Sequence, residues 1–251
     1  MTPTDAWPSG YAQIVLDEVD STMLEAMRQG PNISGPTWIL AYSQTTARGR
    51  RGRAWTNSKG NFSATLIFRP DGDGADVALY SFVTSLALFD ALADLTGRTD
   101  GLTLKWPNDV LLHGGKLAGI LLESSVFSGA LHLAIGIGIN LAAAPAAEDV
   151  EVDALRPVSL VGETGLIITP AEMLSALALR FDQHSRSFQS LGFAPIRTAW
   201  LAQAARLGEK IRARTMREEH HGTFRDVDMQ GQLVLETAKA RVHIPAADVF
   251  F

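Results

Sequence analysis

Cysteine is absent from all 251 residues, which removes disulfides, thiol nucleophiles and thiolate metal sites. That absence is compatible with a reducing cytoplasm, the compartment expected here. A basic excess is missing too: 22 Lys and Arg face 27 Asp and Glu, for a net charge of -5. General attraction to nucleic acid or anionic membranes is therefore excluded, and any basic site must be local. No apolar run reaches the roughly 20 residues of a membrane span. The most apolar stretch, residues 77–93, is broken by Asp90 and carries Ser81, Thr84 and Ser85, so it reads as a buried helix. Residues 1–10 have neither the basic nor the apolar region of a secretory signal. The histidines (His113, His132, His184, His220, His221 and His243) show no metal-motif spacing and no evident serine partner, which leaves zinc chemistry and a hydrolase triad without support.

What the chain does have is core material, with 46% hydrophobic against 20% charged residues, in a length that suits one large domain plus a small appendage. After a short N-terminal arm, Thr22 stands three residues before Glu25, the spacing of a capping box, and Gly30-Pro31 ends that helix. Residues 38–42 and 61–68 read as strands, with a polar, basic loop between them. A long helix is expected over 75–95, then strands over 102–106, 110–112, 116–126 and 130–141, a surface loop over 142–165, and helices over 170–188 and 194–207. The first of those two helices starts with a cap, an N1 proline and an N3 glutamate in Thr169-Pro170-Ala171-Glu172. Beyond Gly208 short alternating segments (210–215, 222–227, 232–236, 241–244) predict a small β-barrel, placing a boundary between residues 1–207 and 208–251.

Five segments carry candidate chemistry. Residues 47–55 place four arginines and two glycines in one loop. Arginine forks suit phosphate or carboxylate and glycine lets backbone close on a ligand, though a solvated basic loop or a nucleic-acid patch reads equally well. Lys105-Trp106-Pro107-Asn108-Asp109 offers a cation for phosphate and oxygens of the hard kind that Mg²⁺ accepts, or simply a turn in which Asn and Asp cap their own backbone. Lys116 opens an apolar strand and needs an anion or an escape to water. Gly119 in that strand signals a ligand's approach or a bulge. In Ile135-Gly136-Ile137-Gly138-Ile139-Asn140 the alternating glycines leave one strand face bare for a flat ligand or, more simply, for packing. Ser21-Thr22 at a helix start could bind a polar group or only cap.

Taken together, Asp20-Ser21-Thr22, Gln44, Arg48-Gly49-Arg50-Arg51-Gly52-Arg53, Lys105-Trp106-Pro107-Asn108-Asp109, Lys116-Leu117-Ala118-Gly119-Ile120-Leu121 and Gly136-Ile137-Gly138-Ile139-Asn140 resemble the signature set of biotin protein ligases, strongly over residues 11–141 and more weakly through the tail. The resemblance implies an α+β fold, a mixed β-sheet flanked by helices of the class II synthetase-like kind, with a C-terminal SH3-like barrel. It implies a two-step reaction: biotin and ATP give biotinyl-5′-adenylate and pyrophosphate, and the biotinyl group passes to a lysine of a biotin carboxyl carrier protein. By similarity Ser21, Thr22, Gln44, Arg48, Gly49, Arg50, Lys116 and Gly119 would hold biotin. Arg48, Arg50, Trp55, Lys105, Asn108, Lys116 and Asn140 would hold ATP, Lys116, Arg48 and Arg50 would act in catalysis, and Asp109 would bind Mg²⁺. Met23 and Ala47 depart from the family's usual Asn and Gly. About twenty residues before Ser21 are too few for the DNA-binding winged helix of some members, so a ligase-only form acting on no DNA and no membrane is implied. A pairing strand at residues 130–141 leaves a homodimer open.

Overall fold

The computed structural model describes residues 7–53, 55, 58–71, 74, 76–146, 150 and 154–251. Its N-terminal part is a seven-stranded sheet in the order β1-β2-β3-β7-β6-β5-β4. The expected arm is in fact a strand, β1 (Ala12–Val19), lying parallel to β2 (Thr37–Gln44). Only one face of β1 is partly covered, and Asp17 and Glu18 dilute the apolar alternation by which a strand is recognised. All other neighbours pair antiparallel: β3 (Phe62–Phe68), β4 (Leu102–Lys105), β5 (Asp109–Leu112), β6 (Gly115–Phe127) and β7 (Ala130–Ile139). Because β7 lies between β3 and β6, it is no pairing edge. The edges are β1 and β4, and the backbone of residues 203–205 bonds to Leu104 on the outer side of β4.

Strand alternation divides this sheet into two unlike faces. Trp38, Leu40, Leu66, Ile135, Ile137 and Ile139 point into the main apolar core, against α2 (Tyr80–Thr96), α4 (Pro170–Leu191) and α5 (Phe193–Ala202). The expected start of α2 at Ala75 lies outside the described residues; the chain makes a 3-10 turn over Val77–Leu79 before the helix, which ends at Gly97 with φ 68. Although Val77–Thr96 is apolar and long enough to cross a membrane, 72% of its apolar window is buried within the fold. Burying a single Leu or Phe of this helix is worth roughly 1.5–3 kcal/mol, enough to anchor it in the core. The capping box of α4 forms as read: Thr169 Oγ accepts from Glu172 N, and Thr169 N donates to the Glu172 carboxylate.

The opposite face is covered in part by α1 (Thr22–Gln29), through a small cluster of Met23, Ala26, Ile39, Ile67 and Ala134. The cap of α1 is Ser21, whose Oγ accepts from Met23 N at 3.2 Å, one residue earlier than the spacing to Glu25 predicts. Thr22 is thereby released for other contacts. Within the expected loop over 142–165, of which 147–149 and 151–153 lie outside the described residues, Ser159 caps a short helix, α3 (Leu160–Thr164).

A five-stranded antiparallel sheet follows, in the order β11-β10-β9-β8-β12, a small SH3-like unit. It comprises β8 (Lys210–Arg214), β9 (Glu219–Val227), β10 (Leu233–Glu236), β11 (Arg241–Ile244) and β12 (Asp248–Phe250). At three residues β12 is too short for a period-2 pattern, and only its pairing with β8 defines it. Packing is continuous between the sheets: the main core extends to Ile211, Phe224 and Leu235, and Trp106 Nε1 donates to Gly231 O at 3.0 Å.

Candidate active site

Strand register assembles the site on the sheet face left uncovered beside α1. Ser63 on β3 pairs with Gly138 on β7, Gly138 with Gly119 on β6, Gly119 with Asp109 on β5, and Asp109 with Lys105 on β4. One row across five strands thus runs from a hydroxyl through two bare glycines to a carboxylate and an ammonium. The next row pairs Thr65 with Gly136 and Gly136 with Leu121. Lys116 would fall on the core face by simple alternation with Ala118, but a β-bulge opposite Val110 and Leu111 puts both Leu117 and Ala118 in the core and returns Lys116 to the pocket.

The cavity above these rows holds about 460 Å³, within the range of small-molecule sites. One end is uncharged. Thr22 N and Thr22 Oγ both donate to Gln44 Oε1, at 2.7 and 3.1 Å, and Thr65 Oγ donates to Thr22 Oγ at 2.9 Å. Ser21, Thr22 and Thr65 are buried. Met23, in place of the expected asparagine, sets its methyl over Gly136, so the glycine gap there is filled by a thioether. Trp55 lies in the same way over Gly138 and Gly119, and its indole N–H is buried without a partner among the described residues. The bare strand face therefore accommodates packing, while the orphaned N–H offers a donor inside the cavity.

The other end is ionic. Asp109 is buried between Lys116 Nζ at 2.7 Å and Lys105 Nζ at 3.7 Å. Burial pushes the Asp109 carboxyl up, but the charges of Lys116 and Lys105 outweigh it and hold the group below the ordinary carboxylate range. Burial lowers Lys105 from the ordinary lysine value, against the opposing pull of Asp109. Arg50 is likewise lowered by burial, and its Nη1 donates to Asn108 Oδ1 at 3.1 Å. Asn108 in turn donates to Ile120 O at 2.5 Å, tying the Pro-Asn-Asp turn to β6. More exposed, Arg48 reaches Glu123 at 3.4 Å. Asn140 also lines the cavity, with its amide donating to Val158 O at 3.1 Å.

Every residue singled out from the sequence as a biotin, ATP or metal ligand lines this one cavity. Sequence reading missed Ser63 and Thr65, whose signal is a hydroxyl in an otherwise apolar strand. It also missed residues 247–250 of the second sheet, which no local pattern connects to the site.

Comparison with known proteins gives a consistent picture. Residues 15–140 match the family model "Biotin/lipoate A/B protein ligase family" and residues 207–251 match "Biotin protein ligase C terminal domain". A biotin--[acetyl-CoA-carboxylase] ligase of Paracoccus denitrificans is 51% identical over 94% of this chain and 99% of its own length. Its counterpart in Mycobacterium tuberculosis is 31% identical over 96% and 90%. Among solved structures, a biotin protein ligase from Aquifex aeolicus in complex with biotin and ATP superposes with a TM-score of 0.82 at 26% identity, covering 95% of this chain and 98% of that one.

Proposed function

We propose a division of labour among these residues from one premise: the chain belongs to the Biotin/lipoate A/B protein ligase family and is an ATP-dependent biotin ligase. It activates biotin as biotinyl-5′-adenylate and transfers the biotinyl group to a carrier protein. The observation that carries the assignment of residues is the polarity of the cavity, uncharged at Thr22, Gln44 and Thr65 and cationic at Lys105, Lys116, Arg48 and Arg50. Biotin enters with its neutral ring system toward Gln44, Thr22 and Ser21, and its carboxylate toward Lys116 and the Gly119 backbone. ATP lies over the glycine rows, its adenosine beside Trp55 and Asn140 and its phosphates toward Arg48, Arg50, Lys105 and Asn108.

The first step is attack of the biotin carboxylate on the α-phosphorus, with pyrophosphate leaving. A carboxylate is a weak nucleophile and the triphosphate repels it, so the work is to hold both anions together and offset the charge on the transferring phosphoryl group. Lys116 stands at that junction. Asp109 fixes the Lys116 ammonium before ATP arrives. In the second step the acceptor amine attacks the acyl carbon, AMP leaves and the amine loses a proton. The Gly49 backbone and its flanking arginines cover the mixed anhydride until then.

Mg²⁺ fits this site poorly as a protein-bound ion. Both Asp109 oxygens face lysines, which already offset its charge. Mg²⁺ would instead enter with the nucleotide and supply charge neutralisation there, as is usual for nucleotide substrates. The same reading takes residues 1–207 as the catalytic domain and 208–251 as the barrel, the acceptor as a lysine of a biotin carboxyl carrier protein, and the location as cytoplasmic.

Pyrophosphate release from ATP in the presence of biotin, lipoate or octanoate tests the assignment. Release with biotin alone, strongly reduced in Lys116→Ala, is the expected result. Release only with lipoate or octanoate would overturn the substrate while leaving the chemistry in place.

A further inference from the structure

The four arginines of loop 47–53 do not all turn to the charged end of the cavity. Arg50 is drawn in to Asn108 and Arg48 leans on Glu123 of β6. The other two cross to the second sheet, where Arg51 Nη1 donates to Asp248 Oδ2 and Arg53 Nη2 donates to the same oxygen at 3.3 Å. Within the loop, Gly49 N donates to Arg53 O at 2.7 Å and Trp55 N to Ala47 O at 3.0 Å, closing it on itself.

We propose that Asp248 is a positioning residue for the ligase reaction: through Arg51 and Arg53 it holds the arginine loop folded over the cavity, so that the C-terminal barrel helps retain the acyl-adenylate until the acceptor lysine arrives. The inference rests on the ligase reading above. Three features support it. Asp248 opens β12, which is paired to β8 and flanked by the buried Ala247 and Val249, so its carboxylate is fixed in place and only 14% exposed. It separates two guanidinium groups that would otherwise repel each other across one turn. Arg51, finally, occupies φ 58 and ψ 24, a left-handed conformation that disfavours a side chain and needs support from outside the loop. Residues 247–250 also line the cavity itself, so the latch and the site share one wall.

The test compares wild type with Asp248→Asn, Asp248→Glu, Arg51→Gln and the Asp248→Asn/Arg51→Gln double variant. Enzyme charged with labelled biotin and ATP, without carrier, is followed for adenylate released into solution, and the apo protein is followed for tryptic cleavage after Arg51 and Arg53. Release should rise about fivefold in Asp248→Asn and in Arg51→Gln, the scale of a part-exposed ion pair. The double variant should release no faster than Asp248→Asn, since that substitution already removes the Arg51 contact along with that of Arg53, and Asp248→Glu should lie nearer wild type than Asp248→Asn. Cleavage of the loop should quicken in Asp248→Asn. Unchanged release together with unchanged cleavage in Asp248→Asn, or a double variant equal to the product of the singles, overturns the latch. Should Asp248→Asn not fold, Arg51→Gln carries the release readout together with cleavage after Arg53. Absence of adenylate from wild type would sink the ligase reading instead, leaving the apo cleavage comparison to decide on the latch.

Discussion

At one end of the cavity Thr22, Gln44 and Thr65 bond to one another with no charge among them, whereas at the other the buried Lys105 and Asp109 form an ionic group with the part-exposed Lys116, beside Arg50 and Asn108. The uncharged end is set by α1, β2 and β3 and is shaped before any ligand arrives. Its donors already have acceptors, so a ligand there exchanges one neutral bond for another, at about 0.5–1.5 kcal/mol each. The ionic end uses Asp109 as a stand-in for the anion to come. On the proposed assignment phosphate replaces or joins that carboxylate, and the gain is concentrated where charge is transferred. That assignment separates recognition and catalysis along one groove.

The sharpest way to break this comparison is Lys116→Ala. Loss of a cation at the reacting phosphate should lower the rate of pyrophosphate release by about 10²–10³-fold, with biotin affinity changing far less in calorimetry. A parallel collapse of both would mean that the two ends are not separable. Gln44→Ala acts on the other end: it strands two Thr22 donors and should raise the KM for biotin about tenfold, from roughly 1–3 kcal/mol of lost satisfaction, with the KM for ATP unmoved. A shift in the ATP value would place Gln44 on the wrong side of the divide. Arg48→Ala, in the more exposed part of the ionic end, should leave adenylation measurable and increase escape of the intermediate several-fold, at the scale of a part-exposed charge contact; equal escape from variant and wild type refutes its covering role.

The smallest effect is in pH. Asp109 is held below the ordinary carboxylate range, so its stabilising contribution is complete above the unfolded value of about 3.9 and is lost only as pH falls through the lower folded value. Lys105 is lowered and loses its charge earlier than a free lysine as pH rises. The alkaline limb of the adenylation rate should therefore begin below the ordinary lysine range and move upward in Lys105→Arg, because a guanidinium stays charged. An unmoved limb would assign it to another group.

How much of this was legible beforehand differs between the two ends. Arg48, Arg50, Lys105, Asn108, Asp109 and Lys116 stand out in sequence because charge in an apolar or glycine-rich setting is conspicuous, and all line the cavity. Thr65 and Ser63 were silent, since a hydroxyl in a strand is ordinary until its neighbour is known. The parallel strand β1 was hidden by its own acidic residues, and the cap of α1 fell on Ser21 rather than Thr22 because a three-residue spacing does not say which hydroxyl adopts the extended cap conformation.

By itself the sequence determined the classes of element, the apolar stripe of β7 and the cluster of cations, because periodicity and composition are local properties of a chain. Only the tertiary structure decided that a bulge turns Lys116 out of the core, that Gly138 faces Gly119 to leave room above them, and that Asp248 lies beside Arg51 from 197 residues away. Register and long-range closure set those relations, and neither leaves a mark on the residues that meet.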